Sequence, residues 1–115
     1  MNYRQITTER QFKDATGKSK EEFYQLLSDY EAEFYSKYNQ SYEDYVEENV
    51  TEPPKFKGLD DSLFFVLFQI KNDLIWGSLG CVFNMAGSTA HDNFDRFSRL
   101  LELTLEKKSH AQAKF

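Results

Sequence analysis

Cysteine occurs once, at Cys81, and histidine twice, at His91 and His110. A single thiol excludes an internal disulfide framework and a cysteine-rich zinc site. Two histidines leave little for a histidine-based metal centre. Proline is confined to Pro53-Pro54, and there are only five glycines, so helix breakers are scarce. No run approaches the roughly 18 apolar residues of a membrane span, and Met1 to Gln5 lacks the apolar core of a signal peptide. The expectation is a chain of the reducing cytoplasm with no membrane partner, no metal and no cofactor. No nucleophile, base and orienting group recur at usable spacing, so no catalytic residue is named and the chain reads as a non-enzyme.

What the chain does have is aromatic mass. Eleven Phe and seven Tyr stand among 115 residues, which are 40 % hydrophobic. Disordered chains lack such residues, and one domain of this length buries about two thirds of its unfolded surface. The net charge of −5 runs against the basic balance of most nucleic-acid binders. It is unevenly spread: residues 1–61 hold 8 Lys/Arg against 14 Asp/Glu, whereas residues 62–115 hold 6 against 5. The acidity belongs to the first half.

Apolar residues recur with a helical period, and no segment alternates strictly over five residues, so the predicted fold is all-α, a small bundle of four or five helices. A first short helix spans Glu9 to Ala15, with Thr8 as cap and Gln11 as its capping-box partner, and stops at Gly17. A second opens on the capping box Ser19-Lys20-Glu21-Glu22 and runs to about Tyr38. Phe23, Leu26, Leu27, Tyr30 and Phe34 form its apolar stripe, leaving Asp29, Glu31 and Glu33 toward solvent. Asn39 to Lys57, Tyr-rich and acidic, reads as a linker in which Tyr42, Tyr45 and Val46 add at most one helical turn, and which Pro53-Pro54 breaks. It is either solvated or adhesive.

A third helix opens at Leu59-Asp60-Asp61-Ser62 with an acidic cap and buries Leu63, Phe64, Val66, Leu67 and Ile70. Phe65 and Phe68 make it apolar nearly all round, the central core helix. Asp73 caps a fourth helix from about Leu74 to Phe83, which packs through Ile75, Leu79, Val82 and Phe83. Asn84 suits a left-handed turn. The last helix starts near Gly87 with a stripe of Ala90, Phe94, Phe97, Leu101 and Leu105. Cys81 reads as a small core residue, and Lys107 and Lys108 as cations at a helix C-terminus.

Two helices joined by a three- or four-residue turn meet the demands of a helix-turn-helix over Trp76 to Asp95. Gly80 is the small residue at the crossing, Asn84 the left-handed position, and Leu79, Phe83, Met85, Ala90 and Phe94 the packing. A plain helical hairpin satisfies the same pattern.

The segments Asp61 to Lys71 and Leu79 to His91 resemble the N-terminal helix-turn-helix region of insertion-sequence transposases of the DDE superfamily, where a core helix "eDrLlltLlylr" precedes "lA..FgvS.STv.R". Upstream, Phe12 to Phe23 with Leu26-Leu27 resembles that family's "F..lTGls.eeF..Ll" opening. The two blocks cover about 12–35 and 55–105, in the family's order. The chain departs from the pattern at Ala86, where the family has Ser, at Ala90, often Val, and at Asp92, usually Arg or Lys.

The resemblance implies a domain that docks on double-stranded DNA at transposon ends, the terminal inverted repeats. It also implies a catalytic transposase domain or subunit elsewhere, since three metal-binding carboxylates on an RNase H-like domain do the chemistry. Homodimerisation is a further possibility. The residues expected nearest DNA are Gly87, Ser88, Thr89, His91, Asp92, Arg96 and Arg99. With Ala90 inward, Ser88, Asp92, Asp95 and Arg99 face outward, flanked by Thr89, His91 and Arg96. The alternative is a protein–protein interaction module that keeps the helix-turn-helix fold without DNA binding. The expected organisation is a helical extension at 1–40, an acidic linker at 41–58, the helix-turn-helix domain at 59–108 and a frayed tail at 109–115.

Overall fold

The computed structural model describes residues 1–49 and 55–113, with side chains as far as Ser109. Glu52, Pro53-Pro54 and the side chain of His110 lie outside the described residues, and with them the expected proline break. Among the described residues there are six α-helices and no strand: α1 (Glu9–Thr16), α2 (Lys20–Tyr38), α3 (Tyr42–Asn49), α4 (Leu59–Asn72), α5 (Trp76–Phe83) and α6 (Gly87–Ala113), preceded by one 3-10 turn, Tyr3–Gln5. The fold is an all-helical bundle, and α3 is the addition to the four or five helices expected.

Local chemistry sets most helix ends. Thr8 accepts the Gln11 backbone N–H, and Gly17 closes α1 at φ +75°. Ser19 and Glu22 exchange both hydrogen bonds of the capping box, and left-handed Asn39 ends α2. Two expected starts move. The cap of α4 is Gly58, with no side-chain hydrogen bond. Its acidic residues instead serve Arg4, which pairs with Asp60 and, at 3.0 Å, with Asp61, while the Tyr3 hydroxyl donates to Asp60 at 2.6 Å. Asp73 is the left-handed C-cap of α4 rather than the N-cap of α5, so α5 begins later, after Ile75.

The core forms around α4, whose Leu63, Phe64, Phe65 and Val66 are fully buried. Tyr3 stacks on Phe64 with ring centroids 5.3 Å apart, and Phe12 and Phe23 meet edge-on at 5.3 Å. The whole α2 stripe is buried with them. Burial pushes the Tyr30 phenol above its ordinary range, partly offset by its hydrogen bond with Ser62 at 3.1 Å.

Several apolar positions face outward instead. Ile70 and Ile75 are exposed, as is Leu105. Ile70 lies in the last turn of α4, and Ile75 is an extended residue before α5, beyond the reach of the core. On α6 the buried positions among the described residues are Ala90, Phe97, Leu100, Leu101 and Thr104, the last donating to Leu100 O at 2.9 Å. Cys81 is exposed, on the face of α5 opposite the packed Gly80 and Leu79. Glu33 is buried rather than solvated, paired with Lys107 at 2.9 Å.

The described parts of the expected linker 41–58, residues 41–49 and 55–58, contribute to the same core. Tyr42 and Phe56 are both buried, and the Tyr42 hydroxyl donates to Phe56 O at 2.8 Å. Phe56 in turn packs on Phe65 and Phe97. The acids of α3 stay on its outside, so a solvated composition and a core anchor coexist. The C-terminal helix also continues through the expected tail to Ala113. Among the described residues no helix is long and apolar enough to cross a membrane.

Candidate nucleic-acid interface

The pair α5–α6 is joined by Asn84, Met85 and Ala86. Asn84 is left-handed at φ +57°, and its N–H bonds Gly80 O; so does the N–H of Met85, at 2.8 Å. The chain therefore folds back onto the last turn of α5. A Cβ on Gly80 would sit deep inside van der Waals contact of Met85 O, and 3.1 Å from Ala86 C. A Cβ on Gly87 would sit 3.1 Å from Gly77 N. The starts of both helices thus lie side by side. Leu79 and Ala90 fill the angle completely, while Phe83, Met85 and Phe94 pack against it partly buried.

The first turns of α6 are positioned by this contact. Ser88, His91, Asp92, Asp95, Arg96 and Arg99 are exposed, and Gly87 and Thr89 are half-buried. Ser88, Asp92, Asp95 and Arg99 form one outward row, as a period of about 3.6 residues requires. The flanking residues diverge. His91 lies edge-on to Trp76 at 4.9 Å, on the α5 side. Arg96 lies over the Tyr45 ring at 5.4 Å, on the α3 side. The expected site residues thus share one helix, but not one face.

Electrostatics of this face are close to self-cancelling. Arg99 pairs with Asp95 at 3.3 Å, and His91 Nδ1 lies 3.4 Å from Asp92 Oδ1. Arg96 forms no ion pair among the described residues, and a cation over an aromatic face within about 6 Å is attracted to it. From Leu74 to Ala90 there is no charged residue. Farther along, Lys107 and Lys108 bind Glu33 and Asp29 of α2. They clamp α6 to α2 rather than serving its C-terminus alone. Burial also pushes the Tyr42 phenol up, with Arg96 pulling the other way.

Two features of this region were not read from the sequence. The contact of α3 with α6 brings Tyr45 to Arg96, a pairing across 51 positions that no local pattern reports. The gathering of Lys71 with the α1–α2 turn is equally long-range. No family model, curated protein or solved structure matches this chain.

Proposed function

We propose that the chain is a sequence-specific DNA-binding module of transposase type, which docks on transposon ends through α6 and leaves catalysis to another domain or subunit. The observation that carries this reading is the close approach of Gly80 to Met85 O and of Gly87 to Gly77 N. It aligns two helix starts and leaves the first turns of the second helix exposed, the arrangement that enters a major groove. Ser88 and Thr89 then stand at the groove entrance and donate to phosphate or base edges. Asp92 accepts from a cytosine amino group. Arg99 and Arg96 hold phosphates once freed from Asp95 and Tyr45. The resemblance at Asp61 to Lys71 and Leu79 to His91 supports the same reading.

The experiment is a pull-down of sheared genomic DNA by the purified chain at about 50 mM salt, with sequencing, repeated at about 200 mM, where counterion release weakens phosphate-dependent binding steeply. Retained fragments sharing inverted repeats are the expected result. Retention of no DNA at low salt overturns the reading.

One observation favours a second reading, a protein–protein module on the same fold. The cations of the α6 face are already engaged, and α5 has none. Binding through such a surface would respond little to salt.

A further inference from the structure

His91 is exposed, yet its ring is held on two sides. Trp76 lies along one row of α6. Its backbone abuts Gly87, whose Cβ would stand 3.3 Å from Trp76 C. Its ring meets His91 and Phe94, at 4.9 Å and 5.6 Å between centroids. Residues 87, 91 and 94 are spaced four and three apart, one row on a helix. Phe94 packs against the core, so it steadies the indole and the indole steadies the imidazole. On the other side His91 Nδ1 lies 3.4 Å from Asp92 Oδ1. Among the described residues the ring forms no other hydrogen bond, which leaves Nε2 for an outside partner.

The first helix of a helix-turn-helix crosses the DNA backbone, and His91 is on the α5 side. There α5 offers no cation, since no charged residue lies from Leu74 to Ala90. Its one titratable side chain, Cys81, stands five residues past Trp76, about 140° round the helix. On α6 the groups beside His91 are Asp92 and, one turn on, Asp95, which Arg99 holds at 3.3 Å. On the elbow before α5, Lys71 and Asp73 form no ion pair with α6 among the described residues. A phosphate arriving on this flank therefore meets Nε2, with the Asp92 carboxylate at the other ring nitrogen. A neutral imidazole carries a single N–H. With the proton on Nδ1, Nε2 turns a lone pair to the phosphate. With it on Nε2, Nδ1 turns a lone pair to Asp92. Only the charged ring donates to both.

We propose that His91 contacts a DNA phosphate as the imidazolium, positioned by Trp76, so that docking of the duplex takes up one proton. The proposal rests on the DNA-binding reading and deepens it: the α5 flank of the interface acquires a cation as pH falls. Imidazoles change charge between about pH 5 and 8. A ligand that favours the charged ring binds more tightly as pH falls through that range, and the gain levels off once the ring is charged.

The test uses the full chain and a fluorescent mixed-sequence DNA duplex, titrated by anisotropy over a salt series at about pH 6 and about pH 8. One further phosphate contact steepens the slope of log K against log salt by about 0.9, and the parent is expected to show that step at the lower pH. His91→Gln, which keeps His110 and every carboxylate, should give one slope at both pH values. His91→Lys, charged throughout, should hold the steeper slope at both. Trp76 is the only tryptophan, and a charged imidazole beside an indole quenches its fluorescence. Unlabelled duplex should move that quenching to higher pH in the parent and not in His91→Gln. Trp76→Ala should lose the step and Trp76→Phe keep it, with circular dichroism checking that both stay helical. A step that survives in His91→Gln, or a parent slope equal at both pH values, overturns the proton coupling and leaves the DNA reading standing. A step that survives in Trp76→Ala overturns the positioning role of Trp76. Absence of salt-dependent binding by the parent at either pH overturns the DNA reading, and the proposal with it.

Discussion

Replacing Gly80 by Ala tests the geometry on which the interface depends. The added methyl would collide with Met85 O and stand 3.1 Å and 3.2 Å from Ala86 C and Gly87 N. All three are backbone atoms of the turn, so no side chain can swing aside. Overpacking a tight site costs about 1–3 kcal/mol, and collision with fixed backbone places this one at the upper end. Ala returns up to about 1 kcal/mol through better helix propensity. The net expectation is a loss of about 2 kcal/mol, a fall in Tm of roughly 8 °C for a domain of this size. Gly77 offers an internal control three residues away on the same helix, because a Cβ there meets nothing within 4 Å. Gly77→Ala should therefore gain up to about 1 kcal/mol. Differential scanning calorimetry of the two variants reads opposite signs from one chemical change. A Gly80→Ala protein as stable as the parent would refute the close approach, and with it the alignment of the two helix starts.

The two lysines near the end of α6 should separate clearly. Lys107→Ala leaves Glu33 buried without its cation and should cost about 1–2 kcal/mol, less than the loss of a fully buried pair because Lys107 itself is exposed. Lys108→Ala, whose partner Asp29 is half exposed, should change urea stability by under about 1 kcal/mol. Tyr30→Phe keeps the ring and loses the bond to Ser62, which still donates to Leu59 O at 2.8 Å; about 1 kcal/mol in denaturant titration is expected. The capping box gives a pH signature. The Ser19 backbone N–H, and then its side chain, hold the Glu22 carboxyl below its ordinary value of 4.5. Its contribution is thus complete above that pH and is lost as pH falls through the folded value beneath it. Glu22→Gln should therefore lower stability at neutral pH and flatten the acid limb of the profile, an effect absent from Glu21→Gln.

What the sequence made legible is what short-range chemistry decides. Ser19 with Glu22, Thr8 with Gln11, and the left-handed Gly17 and Asn84 are each specified within four residues, and the helix ends follow. Phe23 to Phe34 is equally plain, since a stripe at helical spacing has one economical place to go. Failures cluster where tertiary geometry decides. Ile70 and Ile75 fit an apolar period, yet Ile70 falls on the open side of the last turn of α4, and Ile75 is an extended residue beyond the left-handed cap at Asp73. Glu33 breaks the polar pattern of its helix only because Lys107 arrives from the far end of the chain. The acidic composition of 41–49 concealed Tyr42, one residue whose burial converts a linker into a helix of the bundle.

The candidate site divides along the same line. Gly80, Asn84 and Ala90 were identifiable because they answer steric demands within one motif. The engagement of its charges was not, since Asp95 and Arg99 are neighbours only on a formed helix and Tyr45 reaches Arg96 only in the folded chain. Those contacts change what DNA binding must cost. A phosphate that takes Arg99 has to displace Asp95, an exposed pair worth no more than about 1 kcal/mol. One that takes Arg96 has to draw it off an aromatic ring at a similar cost of about 0.5–1 kcal/mol. Neither barrier is prohibitive against contacts that each release a counterion. The carboxylates of Asp92 and Asp95, however, stay on the outward row after the exchange. On the proposed DNA-binding reading, discrimination on this surface would therefore fall to bases that tolerate or use a carboxylate.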